Sequence, residues 1–186
     1  LRNLWIPKMK NIIAIDVDDT VLDLMSTWLS LYNAEFNDNL KREQITDWNI
    51  GQFVKPEAQE AIYDYIVFPD VFYGSAPIPN ALEGVNLLKS LDYRIIYVTA
   101  NNPEGCKYSW LLEKGFIDNH EDFVHALDKS LICCDYMIDD NYDNIINTWG
   151  YGILFSQPWN LQYDYHPRAN NWKDLIEEIQ NGELFL

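Results

Sequence analysis

The sequence predicts an α/β protein, a parallel sheet with a small helical cap inserted after its first strand. Three observations lead there. Short runs rich in β-branched residues, such as Ile12-Ile13-Ala14-Ile15 and Tyr93 to Val98, read as buried strands. From residue 77 onward, strands alternate with stretches of helical periodicity, an order that favours parallel pairing. Between the first two strands, residues 21 to about 76 show helical spacing and no convincing strand, and this is too long for a simple crossover.

Taken in order, the first strand runs into Asp16-Val17-Asp18-Asp19-Thr20. Val21 to Phe36 places Leu22, Met25, Leu29, Tyr32 and Phe36 three and four residues apart, which predicts an amphipathic helix ended by Asn37-Asp38-Asn39. Thr46 to Phe53 reads as irregular. Pro56 suits a first helical position, and a helix is expected from there to about Phe68, stopped by Pro69. Pro77-Ile78-Pro79 is a stiff re-entry, and Asn80 with Glu83 resembles a capping box for a helix carrying Leu82, Val85, Leu88 and Leu91. After the strand Tyr93 to Val98 comes a helix begun at Asn102-Pro103 and closed at Lys114-Gly115. A short strand at Phe123-Val124 and a turn at Asp128 to Ser130 follow. Asp135 to Ile138 is a strand, Asn141 to Trp149 a short helix, Tyr151 to Phe155 a strand and Trp172 to Ile179 the last helix. The expected division is a core of 9–20 and 77–186, a cap of 21–76, and an N-terminal extension of 1–8, with Met9 as a candidate start.

Composition narrows the function. Among 186 residues, 29 acidic against 13 basic ones give a net charge of −16, so the basic footprint of a nucleic-acid polymer binder is missing. Cys106, Cys133 and Cys134 make no disulfide framework. The adjacent pair on an apolar run reads as buried thiols, and the expected compartment is a reducing cytoplasm. No apolar run reaches membrane-spanning length. A homodimer is compatible with the sequence.

The chemistry concentrates at strand ends. Three carboxylates within four residues are costly to bury unless neutralised, and Mg²⁺ is the simplest neutraliser for hard oxygen ligands. Thr99, Lys129 and Asp139-Asp140 sit at or near later strand ends, which in a parallel sheet all point the same way. The set suits phosphoryl transfer. Asp16 would attack phosphorus to form an aspartyl-phosphate, and Asp18 would protonate the leaving oxygen and then activate water. Mg²⁺ would join Asp16 to a phosphate oxygen, with one of Asp139 or Asp140 completing the shell. Thr99 would donate to the phosphate and Lys129 would cancel charge. Singly these residues read as turn, cap or solvated groups; in this order they read as a site. Trp28, Trp48, Phe72 and Tyr73 are candidates for stacking on the rest of a substrate, Phe72 foremost because it precedes the re-entry. His120, His125 and His166 lack ligand spacing, and Trp149 and Trp159 read as packing residues.

This ordered set resembles the haloacid dehalogenase superfamily over about residues 11 to 140. Pro77 to Leu82, Cys106-Lys107-Tyr108-Ser109-Trp110, Met137-Ile138-Asp139-Asp140 and Asn171-Trp172 look more narrowly like the 5′(3′)-deoxyribonucleotidase family. The resemblance implies a doubly wound, Rossmann-like core with a helical cap, acting on a deoxyribonucleoside monophosphate. It implies Asp16 as nucleophile, Asp18 as acid/base and backbone ligand, and Mg²⁺ held by Asp16, Asp18 and Asp139 or Asp140. Three positions depart from the family pattern: Asp19 where Gly is common, Ala100-Asn101 after Thr99, and Leu127 where a basic residue is frequent. A phosphatase for another small ester such as a sugar phosphate is the near alternative. A receiver-type signalling module fits less well, because Lys129 precedes the last acidic pair.

Overall fold

The computed structural model describes residues 11–182, so the expected extension at 1–8 lies outside the described residues. Six strands, β1 Ile12–Asp16, β2 Arg94–Thr99, β3 Phe123–His125, β4 Tyr136–Asp139, β5 Tyr151–Phe155 and β6 Arg168–Ala169, form one sheet in the order β3-β2-β1-β4-β5-β6. Every pairing is parallel. The chain winds outward from β1 to β3, then returns to the other side of β1 for β4 to β6. That reversal puts a crevice beyond the ends of β1 and β4, where open α/β sheets bind ligands.

Side chains alternate across the sheet and both faces are covered. Ile13 and Ile15 join Val85 and Leu88 of helix α3 (Ala81–Ser90), Trp110 of α4 (Cys106–Glu113) and Trp172 of α6 (Trp172–Gln180). (Helices α1, α2 and α5 span Leu24–Phe36, Pro69–Tyr73 and Tyr142–Asn147.) On the other face Ala14 packs with Ile96, Met137, Leu154 and Ile145 of α5. The Trp172 indole N–H donates to the Thr20 carbonyl (2.7 Å), which ties α6 to the acidic turn after β1.

The insertion has an apolar cluster of its own, built from Met25, Trp28, Leu29 and Tyr32 of α1 with Ile45, Ile50 and Ile62. It joins the sheet through two antiparallel connectors, where Asp23 N–H donates to Ala76 O and Ile78 N–H to Val21 O, both at 2.9 Å.

Several local expectations are corrected. α1 starts at Leu24, because Asp23 is its N-cap and accepts from Ser26 N–H (3.3 Å) while Val21 and Leu22 turn back onto Val17 O. The helix expected from Pro56 to Phe68 is two 3₁₀ pieces, Pro56–Ala58 and Ala61–Val67. Its β-branched and aromatic residues are weak α-formers. Pro69 opens α2 instead of stopping a helix, with Phe68 held extended ahead of it. Asn80 makes no capping bond and sits left-handed (φ 64°). Cys133 and Trp149 are exposed, not packed. β6 was not foreseen, since two residues carry no periodicity.

Candidate active site

β1, β2 and β4 deliver Asp16, Thr99 and Asp139 to the same end of the sheet. Lys129 opens a 3₁₀ turn, Lys129–Leu131, whose N-cap Asp128 accepts from Ser130 N–H (3.0 Å). Its Nζ lies between two strand tips, donating to Asp16 Oδ1 and to Asp139 Oδ2 (2.8 Å). Asp16, Asp139 and Asp140 are all buried, and each offers a carboxylate oxygen within 4.8 Å of the others. Asp139 accepts three bonds: Asn141 N–H on Oδ1 (2.8 Å), and Asn144 Nδ2 (3.0 Å) beside Lys129 on Oδ2. Asp140 receives the Trp159 indole N–H on Oδ2 (2.8 Å).

Asp18 has a lysine of its own. Lys107, fully buried on α4, donates to Asp18 Oδ2 and to Thr99 Oγ1 (2.9 Å), and its Nζ stands 4.6 Å from the centre of the Phe72 ring. Asp18 Oδ1 is buried with no partner. Asp19 adopts φ 52°, a conformation that Asp tolerates better than most residues. Its carboxylate accepts from Met25 N–H (3.0 Å) and from Arg42 Nη2 (2.8 Å). Arg42 also reaches Asp23 and Gln157 Oε1.

The electrostatics follow from burial. Burial, aided by the charges of Asp139 and Asp18, pushes Asp16 up to about 8 against the pull of Lys129. Burial also raises Asp140 well above the carboxylate range, with Asp16 and Asp139 adding to it, and lifts Asp19 to about 7 against Arg42. For Lys129 burial works downward, but Asp139 and Asp16 outweigh it and hold the ammonium charged. Six carboxylates at residues 16, 18, 19, 23, 139 and 140 meet three cations, Arg42, Lys107 and Lys129. The balance is negative, and the buried all-oxygen set of Asp16, Asp139 and Asp140 suits a hard divalent ion.

A cavity of about 350 Å³ opens above the cluster. Asp16, Asp18, Lys129, Asp139 and Asp140 line its floor, and Trp28, Trp48, Ile50, Tyr63 and Ile66 line the insertion side. Of the four aromatic candidates, Trp28 and Trp48 therefore face the cavity. Phe72 does not: it is fully buried in the main core beneath Lys107, because α2 packs its apolar side against α4. Tyr73 faces solvent away from the cavity. The Thr99 hydroxyl is taken up by Lys107 and by the Asn101 carbonyl (3.0 Å). Sequence reasoning met Lys107 only inside a family-like segment and Asn101 only as a departure after Thr99, gave neither a role, passed over Arg42, and read Trp159 as packing alone. Lys107 left one signal. It precedes Trp110 and Leu111 by three and four residues, so it falls on the buried face of α4, where a charge requires a partner.

The family described as 5′ nucleotidase, deoxy (pyrimidine), cytosolic type C matches residues 10–183. The chain belongs to this family. As a member it is a phosphoric monoester hydrolase. A 5′(3′)-deoxyribonucleotidase of Clostridium acetobutylicum is 31% identical over 177 residues, covering 92% of this chain and 98% of the relative. One from Bacillus subtilis is 29% identical over 178 residues, covering 92% and 99%. The fold of this family member also matches a haloacid dehalogenase-type hydrolase from Bacillus subtilis, described as bound to magnesium, with TM-score 0.58 and 13% identity over 91% of this chain and 98% of that one. Among the described residues no helix of this nucleotidase-family protein is long and apolar enough to cross a membrane.

Proposed function

We propose that this chain is a Mg²⁺-dependent 5′(3′)-deoxyribonucleotidase. The observation that carries the reading is the convergence of Asp16, Asp139 and Asp140 around a buried lysine below an aromatic-walled cavity. Asp16 and Asp140 would hold the ion together with the Asp18 backbone carbonyl. Asp140 is favoured over Asp139 because both Asp139 oxygens are already engaged. When bound, the ion supplies the positive charge that lets an anionic phosphate approach an anionic nucleophile.

The side chains then divide the work. Asp16 attacks phosphorus in line, and the bond to the leaving oxygen breaks as an aspartyl-phosphate forms. Asp18 delivers its proton to that oxygen, then takes one from the water that hydrolyses the aspartyl-phosphate. Lys107 holds Asp18 by one oxygen and leaves the other for the leaving group. Lys129 offsets charge on Asp16 and on the transferring phosphoryl group. Thr99 anchors Lys107, and its hydroxyl would have to leave the Asn101 carbonyl to donate to a phosphate. Among the described residues, 11–20 and 77–182 serve as the core and 21–76 as the cap, with Trp28 and Trp48 against the base. We place the enzyme in a reducing cytoplasm, which suits the free thiols of Cys106, Cys133 and Cys134.

A released-phosphate assay over deoxyribonucleoside 5′- and 3′-monophosphates, ribonucleotides and sugar phosphates, with Mg²⁺ or with chelator, tests this reading. Turnover of the deoxynucleotides that stops on chelation is the expected result. Preference for a sugar phosphate would overturn the substrate assignment, and activity surviving chelation would overturn the metal. A stable phosphoprotein without turnover would point to a receiver.

A further inference from the structure

Trp159 belongs to two structures at once. By sequence it lies beyond β5, in the 3₁₀ turn Pro158–Asn160. By packing it belongs to the insertion: the other buried members of that apolar cluster fall between Met25 and Ile62. Its ring lines the cavity, stands edge-on to Trp48 (6.4 Å between centres) and lies beneath the Arg42 guanidinium at 5.4 Å. Its indole N–H is spent on Asp140 Oδ2 (2.8 Å).

The turn that carries it is pinned to the sheet. Asn160 Nδ2 donates to the carbonyls of Asp140 (2.7 Å) and Phe155 (2.8 Å), and Asn160 Oδ1 accepts from Arg168 (2.8 Å) and from Gln157 N–H (3.2 Å). The ring is thus a fixed post on the core. Arg42 comes down on it from the insertion and bonds Gln157 Oε1 beside it (2.8 and 3.1 Å). One rigid side chain touches the carboxylate cluster with its edge and the insertion with its faces.

We propose that Trp159 is a positioning residue with two functions: its N–H orients Asp140 for the metal, and its ring seats the cap over the substrate. This rests on the metal and cap readings given above. A donor to a ligating carboxylate typically changes metal affinity by about tenfold or more. An aromatic edge contact and a cation over a ring are each worth about a fewfold in binding.

The two functions separate by substitution in the full chain. Trp159→Phe keeps a ring and removes the N–H; Trp159→Leu removes both. Mn²⁺ binding is measured by calorimetry without nucleotide, and KM for a deoxyribonucleoside monophosphate at saturating metal, with thermal melts to confirm folding. Both variants are expected to bind Mn²⁺ about tenfold more weakly than wild type. KM should stay within about twofold in the Phe variant and rise about fivefold in the Leu variant. Arg42→Met carries the second arm independently of the Trp159 variants: it should raise KM by a similar factor without weakening Mn²⁺. Wild-type Mn²⁺ affinity in Trp159→Phe overturns the orienting function, and an unchanged KM in Trp159→Leu and Arg42→Met overturns the seating function. A wild-type protein that binds no Mn²⁺ overturns the metal reading and the orienting function with it.

Discussion

The two walls of the cavity are built on different principles. On the sheet side the groups that matter are charged, buried and placed by hydrogen-bonded strand register, so Asp16 and Asp139 meet the same lysine from neighbouring strands. On the insertion side the wall is apolar and aromatic, and short 3₁₀ turns with side-chain packing hold it in place. On the proposed reading, the chemistry is thereby separated from recognition. A phosphoester cleavage site needs fixed charges, which a parallel sheet supplies, whereas a base-recognising wall needs shape, which an insertion can vary without disturbing the sheet.

That contrast can be broken in four places. The largest effect is expected at Asp16: Asp16→Asn should lower turnover by about 10³-fold or more while leaving the melting temperature within a few degrees, since Lys129 keeps Asp139 as its partner and the repulsion of Asp16 by Asp139 and Asp18 is relieved. Residual turnover near wild type would put the nucleophile elsewhere. Next comes Lys107→Met, which should lower kcat on deoxynucleotides by about 10²-fold and cost far less on an aryl phosphate whose leaving group needs no proton. Equal losses on both substrates would make Lys107 purely structural. On the other wall, Trp48→Ala should raise KM for deoxynucleotides by about fivefold and leave aryl phosphate kinetics unchanged. Trp48 is 61% exposed, so the fold should not notice. A fall in kcat on both substrates would erase the distinction between the walls. The smallest effect concerns the thiols: iodoacetamide should label exposed Cys133 with activity retained, and spare Cys106, whose thiol burial pushes up to about 11. Peptide mass mapping reads this directly, and labelled Cys106 would mean that α4 opens.

The sheet side was legible in the sequence because its signals are local. An apolar run followed by Asp identifies a strand tip whatever surrounds it, which suffices for Asp16 and Asp139, whereas Lys129 reads as part of the site only through its place in the order of motifs. The insertion resisted for the opposite reason. Phe72 and Trp48 are both aromatic residues in stretches without a clear period, and only packing decides that the first lies under Lys107 while the second faces the cavity. The 3₁₀ character of Ala61–Val67 was hidden because its apolar spacing imitates an α-helix. Arg42 left no signal at all, since its partners Asp19, Asp23 and Gln157 meet only after the chain has doubled back. In the sequence Asp19 stands only as one of three clustered carboxylates, where the family often has Gly. Its left-handed backbone matches that Gly position, and its bond to Arg42 makes it part of the link between the walls.

The central place of β1 also governs the order in which the protein can assemble during synthesis. Its first partner, starting at Arg94, and its second, starting at Tyr136, leave the ribosome long after Ile12 does. Throughout that interval a nascent chain carries an apolar strand with both edges unpaired, a state prone to aggregation and characteristic of slow, non-local sheets. The insertion follows β1 directly and gathers most of its cluster from nearby residues, so it can condense early and shorten the loop that β1 must close. Its last member, Trp159, is translated only after β5, so the two halves of the cavity lock together only once five of the six strands have been made.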